Sequence, residues 1–173
     1  WSVSISRAGD YLLQSWLRLT TPAITFVGGA QGRWTRNFMH NIISDCCITF
    51  NDLVAAKFDS YQLDFWAAFT VPAGKQVGYN NMIGNVPSMY NVTGAIAPHT
   101  LNLPLPFFYG RDSGVALPTA ALPYNEMRIN FSFRNWQQLL MVVNPGGAGE
   151  QRSIPTIAQL GGTEPTLGPC QVW

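Results

Sequence analysis

A strict alternation of apolar and polar residues near the end of the chain is the feature that most constrains its fold. In the string MRINFSFR, Met127, Ile129, Phe131 and Phe133 occupy every second position, with polar or charged residues between them. Successive side chains of a β-strand point to opposite faces of a sheet. This spacing therefore predicts a half-buried strand whose four apolar residues lie in the core.

A second alternating segment lies earlier in the chain, in IISDCCITFNDLVAAKFD. Cys46, Ile48 and Phe50 fall on one predicted face, which we expect to be part of the core. Asn51 and Asp52 follow them and are typical turn residues. The segment therefore predicts a β-hairpin.

The string DSYQLDFWAAFTVP breaks this two-residue rhythm. Asp59 or Ser60 can cap a helix, and a proline at position 72 can end it. Apolar residues then recur at i, i+4, i+7 and i+8, which predicts one helix with an apolar face. We expect that face to lie in the core, and its members are Tyr61, Phe65, Ala68 and Phe69.

The rest of the chain indicates further short strands and long connections. SVSISRAGDYLLQSWLRLTTP predicts two strands around a turn at residues 8–10, and the prolines of LNLPLPFF favour a strand at a sheet edge. Residues 144–170 are rich in glycine and proline and predict a variable surface loop. Together these patterns predict an all-β protein, an antiparallel jelly-roll sandwich with one short inserted helix, in a single domain over 1–173.

Composition narrows the classes of function. Charged residues make up only 11% of the chain and hydrophobic residues 47%. Such a chain either buries much of its outer surface against partners or has polar, uncharged faces between long loops. The net charge of +1, without any basic run, gives little support for binding to nucleic acid. No apolar stretch is long enough to predict a transmembrane helix.

Candidates for metal or redox chemistry are few. The histidines, His40 and His99, are far apart in sequence and form no metal-binding motif, so we expect no metal and no cofactor. Cys46, Cys47 and Cys170 are odd in number, and two are adjacent, which argues against a disulfide framework and favours a reducing compartment. The chain contains no nucleophile elbow and no phosphate-binding loop.

Arg111 and Asp112 stand together in the string GRDSG, within a long apolar passage. They could do chemistry in a site, or they could hold a loop in place. Asp112 can accept hydrogen bonds from the amides that follow it, and Arg111 can bridge to a carbonyl or carboxylate oxygen. With no histidine, cysteine or second acid nearby in sequence, we favour a structural loop clasp.

Several long strings together resemble one protein family, the major capsid proteins of iridoviruses. They are SISRAGDYLLQSWLRL, RWTRNFMHNI, ITFNDLVAAKFDSYQLDFWAAFTVPAGKQVGYNNMIGN and LNLPLPFFYGRDSGVALPTAALPYNEMRINF. The resemblance implies a double jelly roll, of which this chain is a truncated part that covers most of the first, with the last strands and the second jelly roll lying outside it. It also implies trimers of pseudo-hexagonal outline that tile an icosahedral shell.

The same resemblance implies a structural function without catalysis. The implied partners are further copies of the chain, neighbouring capsomers and minor capsid proteins, with an internal membrane close by but not entered and no direct contact with nucleic acid. The implied location is the virion, assembled in the host cytoplasm. Arg111 and Asp112 would then fasten a loop that positions the strand at 127–133. Two alternatives are a carbohydrate-binding attachment module and a cupin-like enzyme, which would need His40 or His99 as a ligand.

Overall fold

The computed structural model describes residues 1–122, 126–144 and 151–173. Short strands dominate, and they are joined by turns and by helices of one to three turns. The strands of the described residues are, in chain order, β1 (Ser2–Ser4), β2 (Tyr11–Leu12), β3 (Trp16–Thr20), β4 (Ile24–Thr25), β5 (Gln31–Trp34), β6 (Ile43–Phe50), β7 (Leu53–Asp59), β8 (Ala95–Ile96), β9 (Thr100–Pro104), β10 (Leu117–Pro118), β11 (Met127–Phe133), β12 (Leu140–Asn144), β13 (Gln151–Ser153) and β14 (Gln171–Val172).

Five α-helices lie between these strands in the described part of the chain. They are α1 (Phe38–Ile42), α2 (Ser60–Thr70), α3 (Gln76–Ile83), α4 (Pro87–Tyr90) and α5 (Trp136–Leu139). The sequence predicts only one of them, α2. The helix α3 escaped prediction because it is short and lies in a turn-rich string with Gly78 and two asparagines, and it fully buries only Ile83. None of the described helices is long and apolar enough to cross a membrane.

The largest sheet has four antiparallel strands in the order β1-β11-β6-β7. The β6–β7 hairpin turns at Asn51 and Asp52, both with positive φ, as in the two-residue turns that suit a hairpin. Strands β1 and β2 flank the predicted turn at residues 8–10, but β1 pairs with β11, with Val3 opposite Ile129. Local turn residues do not reveal a pairing partner that lies more than a hundred residues away.

Two three-stranded sheets and two two-stranded sheets, β10-β2 and β4-β8, complete the sheets of the described residues. One of the three-stranded sheets has the order β14-β3-β9 and the other the order β13-β12-β5, and every strand pair is antiparallel. The strand β9 lies at a sheet edge, as its prolines predict. Part of the predicted loop 144–170 is ordered as β13, while residues 145–150 lie outside the described part of the chain.

One hydrophobic core joins these sheets. It includes residues of β3, β5, β6, β9, β11 and β12. The predicted core residues Cys46, Ile48, Met127, Ile129 and Phe131 are buried. The other two predicted strand residues, Phe50 beside the hairpin turn and Phe133 at a register shift of β11, are half-buried and pack against the core.

Candidate functional site

The helix α2 has its apolar face turned away from the body of the protein. Its predicted core residues are exposed instead: Tyr61 by 69%, Phe65 by 65% and Phe69 by 87%. Leu63 and Ser60 are the buried residues of the helix. At about 100° per residue, the three aromatic side chains lie on the side of the helix opposite Leu63. The prediction that they belong to the core was wrong. We call Tyr61, Phe65 and Phe69 the outer face of α2.

The orientation of α2 is fixed at its N-terminus by a cap and by a polar contact. The side chain of Asp59 accepts a hydrogen bond from the backbone N–H of Gln62 at 2.8 Å, so Asp59 is the N-cap that the sequence suggested. The guanidinium of Arg134 donates to the Ser60 hydroxyl at 2.9 Å and to the carbonyl oxygen of Asn41 at 2.6 Å. These contacts hold Ser60 against the body and thereby turn the aromatic side outward.

A second polar contact joins α1, α2 and α3 through the buried side chain of His40. Its Nδ1 lies 2.6 Å from a carboxylate oxygen of Asp64, and its Nε2 lies 2.8 Å from the hydroxyl of Tyr79. A carboxylate only accepts hydrogen bonds, so Nδ1 donates to Asp64 and Nε2 accepts from Tyr79. Asn37 also donates to Asp64, at 3.2 Å. We call His40, Asp64 and Tyr79 the His40 cluster.

Burial dominates the electrostatics of the His40 cluster. It lowers the pKa of His40 below 6.5, although Asp64 opposes that shift through its hydrogen bond and its charge. Burial, and to a lesser extent the charge of Asp64, raises the pKa of Tyr79 to about 12. The cluster is therefore a neutral imidazole held between an acceptor and a donor, and it ties three helices together.

A groove of about 800 Å³ lies beside α2. Its walls come from α2, α3, the turn between them and residues 104–111, and Trp16, Trp66, Pro106 and Phe107 contribute apolar surface. The charged residues that line it are Lys75 and Arg111, and no described Asp or Glu is among the lining residues. The groove therefore combines an apolar wall with positive charge.

Arg111 and Asp112 lie next to this groove, and they do not form an ion pair with each other. The guanidinium of Arg111 lies over the ring of Trp66, 5.2 Å from its centroid, and not against the predicted carbonyl or carboxylate. The side chain of Asp112 accepts from the backbone N–H of Gly114 at 3.3 Å and caps the short 3₁₀ turn Ser113–Val115. Both side chains are exposed.

Sequence reasoning missed the residues that orient α2, namely Arg134, Asp64 and Tyr79. The spacing of His40, Asp64 and Tyr79 matches no motif, and Arg134, directly after β11, continues the alternation of that strand as an ordinary polar residue. Within residues 1–122, 126–144 and 151–173, no three His, Cys, Asp or Glu side chains lie close enough to hold a metal ion. Cys46 is buried, and its burial raises the pKa of the thiol.

Comparison with known proteins gives one consistent result. Residues 1–168 match the family model described as the major capsid protein N-terminus. The chain is 57% identical to the major capsid protein of Tipula iridescent virus over its full length. It spans about 40% of the length of that relative.

Solved structures agree with this match at the level of the fold. The PBCV-1 virus capsid protein superposes with a TM-score of 0.69 at 23% identity, over 99% of this chain and 36% of that one. The Faustovirus major capsid protein gives a TM-score of 0.72 at 10% identity, over 82% of this chain and 40% of that one. The predicted fold, the N-terminal jelly roll of a double jelly-roll protein, is thereby confirmed. The chain belongs to the family of iridovirus major capsid proteins.

Proposed function

We propose that the protein containing this chain builds the capsid by self-association, forming trimeric capsomers of pseudo-hexagonal outline that tile an icosahedral shell. The relatives are named major capsid proteins, which supports a structural role in a virion. The observation that carries the proposal is the outer face of α2. Its three aromatic side chains are more than half exposed on a chain with few charges.

Such a face is costly to leave in water. Contiguous exposed apolar surface on a soluble protein commonly marks a site of protein association. Burial of aromatic side chains contributes strongly to interface stability, and aromatic residues are enriched at interface cores. We infer that neighbouring subunits cover the outer face of α2 in the assembled shell.

We propose that the His40 cluster has a structural role and that the protein works without catalysis. A histidine between an acid and a hydroxyl has the outline of a catalytic relay. Here, however, the hydroxyl belongs to Tyr79, whose pKa is raised to about 12, and the imidazole is buried. A hydroxyl made less acidic by burial is poorly suited to act as a nucleophile at neutral pH. The contacts themselves support the structural role, since they join α1, α2 and α3.

We propose that Arg111 and Asp112 form the loop clasp that the sequence suggests. The cap of Asp112 on Ser113–Val115 and the packing of Arg111 on Trp66 support this role, since both restrain the loop beside α2. The clasp would hold that loop in place and so help to position β11, which follows it in the chain.

The membership of the family also suggests the partners of the protein and the place of its assembly, which we propose as follows. The partners would be further copies of the protein and minor capsid proteins, with a membrane nearby that the protein does not enter and no direct contact with nucleic acid. Assembly would take place in the host cytoplasm. The carbohydrate-binding alternative has less support, since it calls for aromatic rings clustered on an outer loop, whereas Tyr61, Phe65 and Phe69 lie on a helix.

Light scattering after size exclusion tests the assembly proposal on the full-length polypeptide. We expect a trimer for the unmodified protein. The double variant Phe65→Glu/Phe69→Glu should remain folded and shift to the mass of a monomer, because it places charge where neighbours would pack. Ile154→Glu, which adds a charge at an exposed apolar position outside α2, serves as the control and should stay trimeric. A folded monomer for the unmodified protein, or a stable trimer for the double variant, would contradict the proposal.

A further inference from the structure

We propose that the tip of the β6–β7 hairpin of one subunit docks into the groove beside α2 of the next copy. This inference rests on the proposed self-association and names two surfaces that meet. It is carried by the complementary charge and the matching apolar character of the tip and the groove. We call Asp52, Leu53 and Val54 the hairpin tip.

The hairpin tip presents apolar side chains next to a carboxylate. Leu53 is exposed by 73% and Val54 by 53%, and Asp52 precedes them in the turn. Nearby, Glu126 forms an ion pair with Arg128, and Arg128 also interacts electrostatically with Asp52. The turn itself carries one carboxylate, that of Asp52, so the hairpin tip is negatively charged.

The hairpin tip is also held in one conformation. The side-chain oxygen of Asn51 accepts a hydrogen bond from the backbone N–H of Glu126 at 2.7 Å, and the backbone N–H of Asn51 donates to the carbonyl oxygen of Glu126 at 2.9 Å. The strand β7 is an edge strand, so one side of it remains unpaired in the described sheet. A preorganised tip loses little conformational entropy when it binds.

The groove has the opposite charge and a matching apolar wall. Lys75 and Arg111 line it, and neither forms an ion pair within the described residues. Trp16 and Pro106 are among its apolar lining residues. Its volume of about 800 Å³ is in the range of pockets that enclose a small ligand. Leu53 and Val54 would fill the apolar part, and Asp52 would face the two cations.

The tip and the groove of one subunit cannot meet. The strand β7 runs from Leu53 at the turn to Asp59 at the start of α2, seven residues whose six steps span about 20 Å at about 3.3 Å each. The two surfaces therefore lie at opposite ends of the strand, and the contact must join different copies. A contact between unlike surfaces of identical subunits forms a closed ring when its rotation closes, as a trimer requires.

Cysteine cross-linking between two single variants of the full-length protein tests this contact. Gly74 lies in the groove, and a Cβ added there meets no atom within 4 Å, so Gly74→Cys is tolerated without strain. Leu53→Cys places a thiol on the hairpin tip. The two variants carry tags of different length, are co-expressed, and are oxidised after purification of the assembled protein. A disulfide between the two tagged chains can arise only between copies.

We expect a cross-link between the Leu53→Cys and Gly74→Cys chains, and none when Ile154→Cys, an exposed position outside the groove, replaces Gly74→Cys. Each variant alone controls for the native thiols. An assembled protein without the cross-link overturns this contact and leaves the proposed self-association standing. A monomeric protein overturns both. A Gly74→Cys thiol that is blocked to maleimide in the isolated subunit also overturns the contact, since another segment of the same polypeptide would then fill the groove.

A double-mutant cycle checks the charge pairing independently. Asp52→Asn keeps a residue that tolerates the positive φ of the turn, and Arg111→Gln removes the charge in the groove. Each substitution should lower the affinity of trimer association about three- to tenfold, as expected for a rim charge pair. The affinity of the double variant should be no lower than that of the more strongly affected single variant. Effects that multiply fully would show that the two charges do not interact and would contradict the proposal.

Discussion

The four-stranded sheet and the helix α2 both carry apolar and aromatic residues at regular spacing. The sheet buries its regular apolar face, whereas α2 leaves its aromatic face exposed. In β11 the alternating residues Ile129 and Phe131 lie in the core. In α2 the regular face that contains Phe65 and Phe69 points to solvent. Regular spacing therefore identifies an apolar face in both elements, but it does not tell which surface will cover that face.

The difference has a physical cause. Strands β1 and β6 flank β11 and fix its pleat by backbone hydrogen bonds along its length, so one face of the strand must meet the core. The helix α2 satisfies its own backbone hydrogen bonds and can rotate until side-chain contacts fix it. Those contacts are the burial of Leu63 in the core and two polar contacts, in which Arg134 binds Ser60 and His40 binds Asp64.

The largest expected difference comes from making the same substitution, Phe to Asp, in the buried face of β11 and in the outer face of α2. Phe131→Asp should prevent folding, because it buries an unpaired charge at a cost of about 4 kcal/mol or more. Phe65→Asp should change the free energy of unfolding by less than about 1 kcal/mol, because Phe65 is mostly exposed and the two residues have similar helix propensity. Urea unfolding measures the difference: Phe65→Asp should show a cooperative transition close to that of the unmodified protein, and Phe131→Asp should show none. Equal destabilisation by the two substitutions would contradict the assignment of the α2 face to the outside.

Removal of the Arg134 side chain tests what turns α2 outward. Arg134→Met should destabilise the fold by about 2 kcal/mol, since hydrogen bonds to a charged donor are lost at the Asn41 and Ile43 carbonyls and at the Ser60 hydroxyl. Arg18→Met, on an exposed position of β3, is the matched control and should stay within about 0.5 kcal/mol. An Arg134→Met variant as stable as its control would show that other contacts orient the helix.

The His40 cluster predicts a pH dependence of stability. Because burial lowers the pKa of His40, the unfolded chain takes up a proton at a higher pH than the folded chain. The contribution of His40 to stability is therefore constant above about pH 6.5 and falls as the pH drops below that value. Denaturant unfolding at a series of pH values measures this. His40→Gln should lessen the dependence, and an unchanged slope in that variant would assign it to other groups.

The smallest expected effect concerns the loop clasp. Asp112→Ala should destabilise the protein by about 1 kcal/mol, because the 3₁₀ turn Ser113–Val115 loses its cap. Asp112→Asn retains an acceptor oxygen and should cost less. Thermal unfolding of the two variants provides the comparison, and an alanine variant as stable as the asparagine variant would remove Asp112 from the clasp.

The sequence predicted those parts of the fold that depend on local pattern. The alternation of β11 and β6, the turn at Asn51 and Asp52 and the extent of α2 all follow from side-chain period and turn chemistry. The pairing of β1 with β11 and the rotation of α2 depend on contacts between residues distant in sequence, and no local signal encodes them. The candidate site was missed for the same reason, because the aromatic spacing of α2 is equally compatible with a core and with an interface.

The most direct test of the account compares hydroxyl-radical labelling of assembled shells with that of dissociated subunits of the full-length protein. Tyr61, Phe65 and Phe69 are exposed in the isolated fold, so we expect them to be labelled in the dissociated subunits. If neighbouring subunits cover the outer face of α2, all three side chains should be strongly protected in the shell, whereas exposed Ile154 outside this face should label equally in both samples. Equal labelling of the three aromatic residues in shells and in subunits would contradict the claim that this face is an assembly surface.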